Sequence, residues 1–346
     1  MKETNKSTIF VFCFLVFFIF IWQQIYLPLN SSDTEDRLFL IERGQNLFQI
    51  SGNLEKQVIK DRFSFNLYVF LKGGAGRLQA GEYVFNPSMS IARIADKIIS
   101  GDVAKETILI PEGWNLKDIA WYLENKGMFQ AEELFELVGF RLIDYSHNSD
   151  LPELKDFSSD HDFLTDKPKN IGLEGYLFPD TYEIKRNSSL EEIVRKILDN
   201  FGKKLSGELR EEIKRQEKTI FEIITIASLI EKEVKTPEEK KIVSGILWKR
   251  LKNKIPLQVD ATINYITGKK TTKVLIQETK IDSPYNTYKY GGLPLGPICN
   301  PGIESIISAL YPESSEYSYY LSTSEGETLF SKTLEEHNLK KAQYLK

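Results

Sequence analysis

Apolar residues recur at helical spacing through residues 222–234, EIITIASLIEKEV, at Ile223, Ile226, Ala227, Ile230 and Val234. No glycine or proline interrupts the run, and Pro237 follows it. The pattern predicts a core helix, entered near Thr219 and ending in the charged cluster Glu231-Lys232-Glu233. Around that helix Glu231 lies near Ala227, Ser228 and Val234, at the margin of the apolar stripe. Glu233 points about 160° away, so the two acids do not form a same-face pair. Spacing alone does not choose between them. The plain alternative is an ordinary buried helix with a solvated charged end.

The rest of the chain alternates short strand and helix patterns. Residues 37–41 read as a strand and 45–55 as a short helix. Residues 63–71 continue helical packing, and 78–85 form a second strand. Ser90 caps a helix whose apolar face is Ile91, Ile94, Ala95 and Ile98, and Gly101 ends it. A strand at 106–110 precedes helices at 115–126 and 131–138. Residues 148–170 are rich in Asp, Ser, Lys and Pro and read as a mobile excursion. An amphipathic helix covers 189–205, a charged solvated stretch covers 204–216, and a helix covers 238–252. Residues 255–265 alternate Leu257, Val259 and Ala261 with Gln258, Asp260 and Thr262, which suggests a short strand or extended turn. Residues 269–272 read as a surface loop, and 291–302 as an irregular, rigid Gly- and Pro-rich loop. A helix at 303–310, strands at 318–322 and 328–330, and a terminal helix at 333–343 complete the series.

The N-terminus changes where this body works. Residues 9–22 are unbroken apolar, IFVFCFLVFFIFIW, and residues 9–27 are long enough to cross a bilayer. Trp22 and Tyr26 stand near one end, as interfacial aromatics do. Lys2 and Lys6 precede the run and Asp33, Glu35 and Asp36 follow it, which favours a cytoplasmic N-terminus and an external body. A cleaved signal peptide is the alternative; the large aromatics and the lack of an Ala-x-Ala-like site favour an anchor. The 346-residue chain is 27% charged with a net charge of −4, so no global signal points to nucleic acid. Cys13 and Cys299 cannot make a disulfide framework, and three histidines show no metal cluster. No cofactor is expected.

Candidate chemistry centres on carboxylates. Glu231, near the end of a core helix, is placed to be partly desolvated, with a raised pKa suited to a general acid. Glu174 and Asp180 lie among aromatics in LEGYLFPDTY at 173–182. They either line a sugar cleft or belong to a Gly175 turn with Tyr176 and Phe178 as core.

These motifs together resemble one family, the YceG-like endolytic murein transglycosylases. The resemblance rests on the N-terminal anchor, LEGYLFPDTY at 173–182, IASLIEKEV at 226–234 and LQVDATINY at 257–265. It continues through SPYNTY at 283–288, GLPLGPICNPG at 292–302 and TLEEHN at 333–338, in that order. It implies an α+β protein with three parts. Residues 1–36 would be tail, transmembrane anchor and linker, 37–105 a small LysM-like module, and 106–346 the catalytic domain. It also implies cleavage of peptidoglycan between N-acetylmuramic acid and N-acetylglucosamine, with 1,6-anhydro ends that terminate nascent strands. Catalysis falls to Glu231, the first Glu of the EKE motif. Glu174, Asp180, Gln258, Asp260, Ser283, Tyr285, Asn286 and Asn300 are then candidates for sugar binding, and His337 for orienting a neighbour. Implied partners are glycan strands and, by location, membrane lipid, cell-wall synthases and division machinery. An inactive glycan-binding scaffold and a hydrolase are the alternatives. Two positions depart from the family pattern, Ala261 and Leu295, each standing where proline is usual; this bears on loop rigidity.

Overall fold

The computed structural model describes residues 3–147, 151–269, 274–323 and 326–344. The chain opens with a long apolar helix, α1 (Glu3–Tyr26), which includes a 19-residue stretch, Thr8–Tyr26, apolar enough to span a membrane. Strand β1 (Arg37–Ile41), helices α2 (Leu47–Glu55) and α3 (Arg62–Leu71), strand β2 (Gly81–Phe85) and helix α4 (Ile91–Ser100) follow. Strand β3 (Lys105–Ile110), with α5 (Leu116–Asn125) and α6 (Ala131–Val138), leads to β4 (Asp180–Lys185), which pairs with β3. Then come α7 (Leu190–Lys204), α8 (Gly207–Arg215), α9 (Ile220–Glu233), α10 (Pro237–Lys252), α11 (Asp260–Thr267) and α12 (Ile303–Leu310). The hairpin β5 (Tyr319–Ser322) and β6 (Thr328–Ser331) and helix α13 (Leu334–Tyr344) close the chain. The protein is thus α+β, as expected. It divides into two compact units, Met1–Thr107 with Glu183–Ser188, and Ile108–Tyr182 with Ser189–Lys346.

In the first unit β1 and β2 pair antiparallel, from Arg37 opposite Phe85 to Ile41 opposite Gly81. Alternation puts Phe39 and Ile41 of one strand and Tyr83 and Phe85 of the other inside, where they meet Ile50, Leu54, Phe65, Val69, Ile94 and Ile98 from the helices. Ser90 accepts from the Arg93 N–H at the start of α4, and Gly101 ends that helix in a left-handed conformation.

The second unit is built around α9. The Thr219 hydroxyl accepts from the Glu222 N–H and the Glu222 carboxylate accepts from the Thr219 N–H, so both ends of a capping box hold the first turn. Every residue from Ile223 to Ile230 is buried, a wider apolar surface than the stripe read from spacing. Helices α10, α11 and α12 pack against it. Thr225 and Ser228 tolerate burial because each hydroxyl donates within the helix, to the Phe221 and Thr225 carbonyls.

Four sequence expectations need correction. Residues 257–262 alternate, but Asp260 begins helix α11, and Thr262 turns its hydroxyl onto the Val259 carbonyl at 2.7 Å. Residues 173–182 hold the start of a strand that the turn reading missed. The segment read as an excursion is tied down by a few buried side chains, among them Phe157, Phe163 and Leu164. Its first residues, 148–150, lie outside the described residues, as do 270–272 of the loop expected at 269–272. The solvated stretch near 204–216 is a helix, α8, with Ile213 inside.

The 173–178 segment is fixed from two sides. Gly175 takes a φ of +91°, and a Cβ there would sit 2.6 Å from Pro297. Glu174 is buried and accepts from the Leu116 N–H at 3.1 Å and from the Tyr265 hydroxyl at 3.0 Å. Burial pushes its carboxyl up to about 7, against the opposing pull of the Arg141 charge and of these hydrogen bonds. The folded protein therefore holds this proton more tightly than the unfolded chain. Stability falls as pH rises from about 4.5 to about 7. The contribution is at most about 3 kcal/mol. Urea unfolding in detergent at pH 5 and pH 8 measures it. The stability difference between wild type and Glu174→Gln should shift against wild type at pH 8; a pH-independent difference would refute the assignment.

Candidate active site

Helix α9 ends in two carboxylates that face different surroundings. Glu231 keeps only 10% of its side-chain surface exposed, and its partner Lys240 on α10 keeps 6%. Three donors meet on one oxygen. The Lys240 ammonium lies 3.2 Å from Glu231 Oε2, the Gly302 N–H donates to it at 3.2 Å, and the Ser305 hydroxyl donates at 2.5 Å. All three act on Oε2, and Oε1 carries none of them. The apolar surroundings expected for this carboxylate are thus replaced by a charged and hydrogen-bonding pocket from α10 and the start of α12.

The local fold explains the convergence. Lys240 lies on α10, started by Thr236 as N-cap and Pro237 in its first turn. Gly302 is the N-cap of α12, so its N–H is not used by the helix and is left to bind an acceptor. The loop before it is clamped to α9. Ser228 accepts from the Ile298 N–H at 3.1 Å, and the Cys299 thiol donates to the Ser228 carbonyl at 3.3 Å.

A second carboxylate completes the pocket. Glu112 follows β3, and a Cβ added at Gly302 would fall 2.0 Å from its Oε1. Gly302 therefore lies between the two acids, with its N–H on Glu231 and its Cα beside Glu112. Burial, then the Glu231 charge, raises the Glu112 pKa, and Lys240 opposes the shift. The Gly113 carbonyl accepts from the Lys232 ammonium at 3.2 Å, and the Gly113 N–H donates to the Asn300 carbonyl at 2.9 Å. These bonds hold the Pro111-Glu112-Gly113 turn over the end of α9. Sequence reading passed over Glu112, Lys240 and Ser305. Glu112 stands in a short Pro-Glu-Gly turn, which is its only sequence signal, and the others lie on helices as ordinary polar positions.

Glu233 occupies the other side of α9, as the helical geometry requires. It accepts from the Ala261 N–H at 3.2 Å, and burial followed by the Asp260 charge pushes it up to about 7. The Tyr288 hydroxyl donates to Asp260, and Arg250 reaches the Leu257 carbonyl at 2.8 Å and Gln258 at 3.5 Å. Gln258 itself has a φ of +55°. Asp260 thus gathers with Glu233, not with Glu231, and Gln258 is held by Arg250.

The other residues named from sequence divide further. Asn300 is fully buried. It accepts from the Leu177 N–H at 2.8 Å, donates to the Trp114 carbonyl at 2.9 Å, and approaches Glu174 at 3.5 Å. Tyr285 is buried against Tyr265, with ring centroids 5.1 Å apart. Asn286 is buried, donating to the Thr279 and Ile281 carbonyls and accepting from the Tyr288 N–H. Ser283 is part-exposed and accepts from the Tyr285 N–H at 3.3 Å. Asp180 sits at the start of β4, with Asn200 and Lys204 of α7 at 3.0 and 3.1 Å. His337 stacks on Tyr319, with ring centroids 5.2 Å apart. The two positions without proline use their amides. Ala261 donates to Glu233, and Leu295 donates to the Pro284 carbonyl at 3.1 Å.

Comparison with known proteins gives this arrangement its context. The YceG-like family matches residues 39–343. The chain is 34% identical over 308 residues to the endolytic murein transglycosylase of Bacillus subtilis strain 168, covering 88% of this chain and 84% of that protein. It is 30% identical over 333 residues to the endolytic murein transglycosylase of Streptococcus pneumoniae strain D39, covering 92% of this chain but 60% of that longer protein. The crystal structure of a YceG-like protein from Listeria monocytogenes superposes with a TM-score of 0.58 at 31% identity, over 88% of this chain and 99% of that one. The match runs from β1 to α13 and takes in both acids of the pocket: this chain belongs to the YceG-like family.

Proposed function

We propose that this chain is an endolytic murein transglycosylase. It would cut peptidoglycan strands between N-acetylmuramic acid and N-acetylglucosamine and leave 1,6-anhydro ends. Family membership supports the activity class. The single observation that supports the assignment of the chemistry is the convergence of Lys240, Ser305 and the Gly302 N–H on one oxygen of Glu231, with Glu112 alongside.

In the proposed reaction the Glu231 carboxylic acid gives its proton to the glycosidic oxygen, the C1–O bond breaks, and the N-acetylglucosamine side leaves as an alcohol. The muramic C6 hydroxyl then closes onto C1, and its proton returns to the Glu231 carboxylate. No water is consumed, and one group acts as acid and then as base. Lys240, Ser305 and the Gly302 N–H stabilise the carboxylate formed between the two transfers. With these donors on Oε2, Oε1 is the oxygen assigned to the transfer. Glu112, whose proton affinity is raised, sits where it can supply a proton to Glu231 or offset positive charge at C1.

In this reading α1 anchors the enzyme with its N-terminus in the cytoplasm and the rest facing the wall. Residues 37–105 would form a LysM-like glycan-binding module and 106–346 the catalytic domain. Ser283, part-exposed, remains a direct sugar-binding candidate, whereas Glu174, Asn286 and Asn300 would act by holding the loops that shape the cleft.

Mass analysis of fragments released from purified glycan strands tests the reaction class. Anhydro ends support the proposal, reducing ends indicate a hydrolase, and binding without cleavage indicates a scaffold. Two substitutions test the pocket. Gly302→Ala drives a methyl group into Glu112 at a backbone φ of −71° that alanine accepts, so it should lower turnover while the fold persists. Glu112→Gln should lower turnover by about a hundredfold or more, the range expected for loss of an acid–base group. Unchanged turnover in both variants would remove Glu112 from the mechanism.

A further inference from the structure

Helix α3 is apolar on two opposite sides. Phe65, Tyr68 and Val69 face the core of the first unit. Phe63, Phe70 and Leu71 on the other side are 62%, 73% and 72% exposed, and Leu67 lies between them at helical spacing. Arg62 is exposed at the start of this helix, whereas Lys72 at its end turns to the other side, over the Tyr68 ring and 3.6 Å from Asp96. An apolar face of this size on a water-facing helix calls for a partner.

The position of α1 says which partner. Ile25 is buried in the core of the first unit, Ile21 packs against it, and the Tyr26 ring meets the edge of Tyr68 on α3 at 6.3 Å. One face of the last turns of the apolar span therefore packs on the folded module, while Trp22 and Tyr26 stay about half exposed. The stretch before Ile21, Thr8–Phe20, extends only about 20 Å, against a hydrocarbon layer of about 30 Å. The whole span is needed to cross, so its module-covered end lies at membrane depth and carries α3 with it.

We propose that α3 is an interfacial helix: Phe63, Leu67, Phe70 and Leu71 enter the acyl boundary of the outer leaflet, and Arg62 at its start reaches the headgroups. This is the pattern of helices that lie in the plane of a bilayer, and basic side chains at their ends extend to the polar layer. The first unit is then held against the lipid by two elements, α1 across the membrane and α3 along it. The proposal rests on the reading of α1 as an anchor.

Site-directed spin labelling of the full chain in lipid vesicles tests it, in a Cys13→Ala background in which the remaining Cys299 is buried. Labels are placed singly through Phe17→Cys in the span, Phe70→Cys on α3, and Leu339→Cys, an exposed position on α13. Power saturation compares accessibility to oxygen, which partitions into lipid, with that to a water-soluble nickel chelate. The expected result is a several-fold higher oxygen-to-nickel ratio at position 70 than at 339, approaching that at 17. A lipid-like ratio at 17 with a water-like ratio at 70 overturns the interfacial helix and leaves the anchor standing. A water-like ratio at 17 overturns the anchor, and the proposal with it. Spin–spin broadening at 70 that persists on dilution with unlabelled lipid, with a low oxygen ratio, assigns the face to a second copy of the chain and also overturns it.

Discussion

The burial of α9 is the constraint on which the rest of the second unit depends. A run of eight residues without an exposed position fixes the helix against rotation and translation, since each buried Ile or Leu contributes about 1.5–3 kcal/mol to keeping it there. Ser228, inside this helix, then serves as the fixed point for the Ile298–Cys299 stretch. That stretch delivers Gly302, whose unused helix-capping N–H completes the pocket on Glu231. A small polar side chain in the middle of an apolar helix thus sets the geometry of groups some seventy residues away in the chain.

The same helix separates two acids that are two residues apart. Glu231 is neutralised by a buried lysine and by hydrogen bonds. Glu233 lies in a pocket with Asp260, where burial and like charge favour its neutral form. Removing one charge of the buried Glu231–Lys240 pair costs stability, while the buried run Ile223–Ile230 keeps α9 in place. The two amides at Ala261 and Leu295, which proline would lack, both make hydrogen bonds and so replace the rigidity of a ring with specific contacts.

Much of this was legible in the sequence where local signals and tertiary packing agree. The cap at Ser90, the entry of α9 near Thr219, the turn at Gly175, and the helices α6 and α12 follow from residue type and period alone. Reading failed where a tertiary partner overrides local pattern. Alternation at 257–262 suggested a strand, yet the segment turns into α11, which packs on α9 and gives the Ala261 amide its partner in Glu233. The polar stretch before residue 170 looked unconstrained because its few aromatics are far apart in sequence; Phe163 finds its partner in Phe201, at 4.8 Å between ring centroids. At the site, helical angles separated Glu231 from Glu233 but did not rank them, and the family resemblance did. The pocket around Glu231 draws on α10, α12 and the turn after β3, and no spacing rule links residues 112, 240 and 305.

The central claim is that the Glu231 carboxyl carries the proton in both steps. The most direct measurement is single-turnover release of anhydro-ended fragments from purified glycan by Glu231→Gln, with folding and glycan binding of the variant measured alongside. Glutamine keeps the shape and can still accept from Ser305 and Gly302, but it cannot donate and recover a proton. Near-complete loss of release with fold and binding retained is the predicted result. Release close to that of the wild type would contradict it.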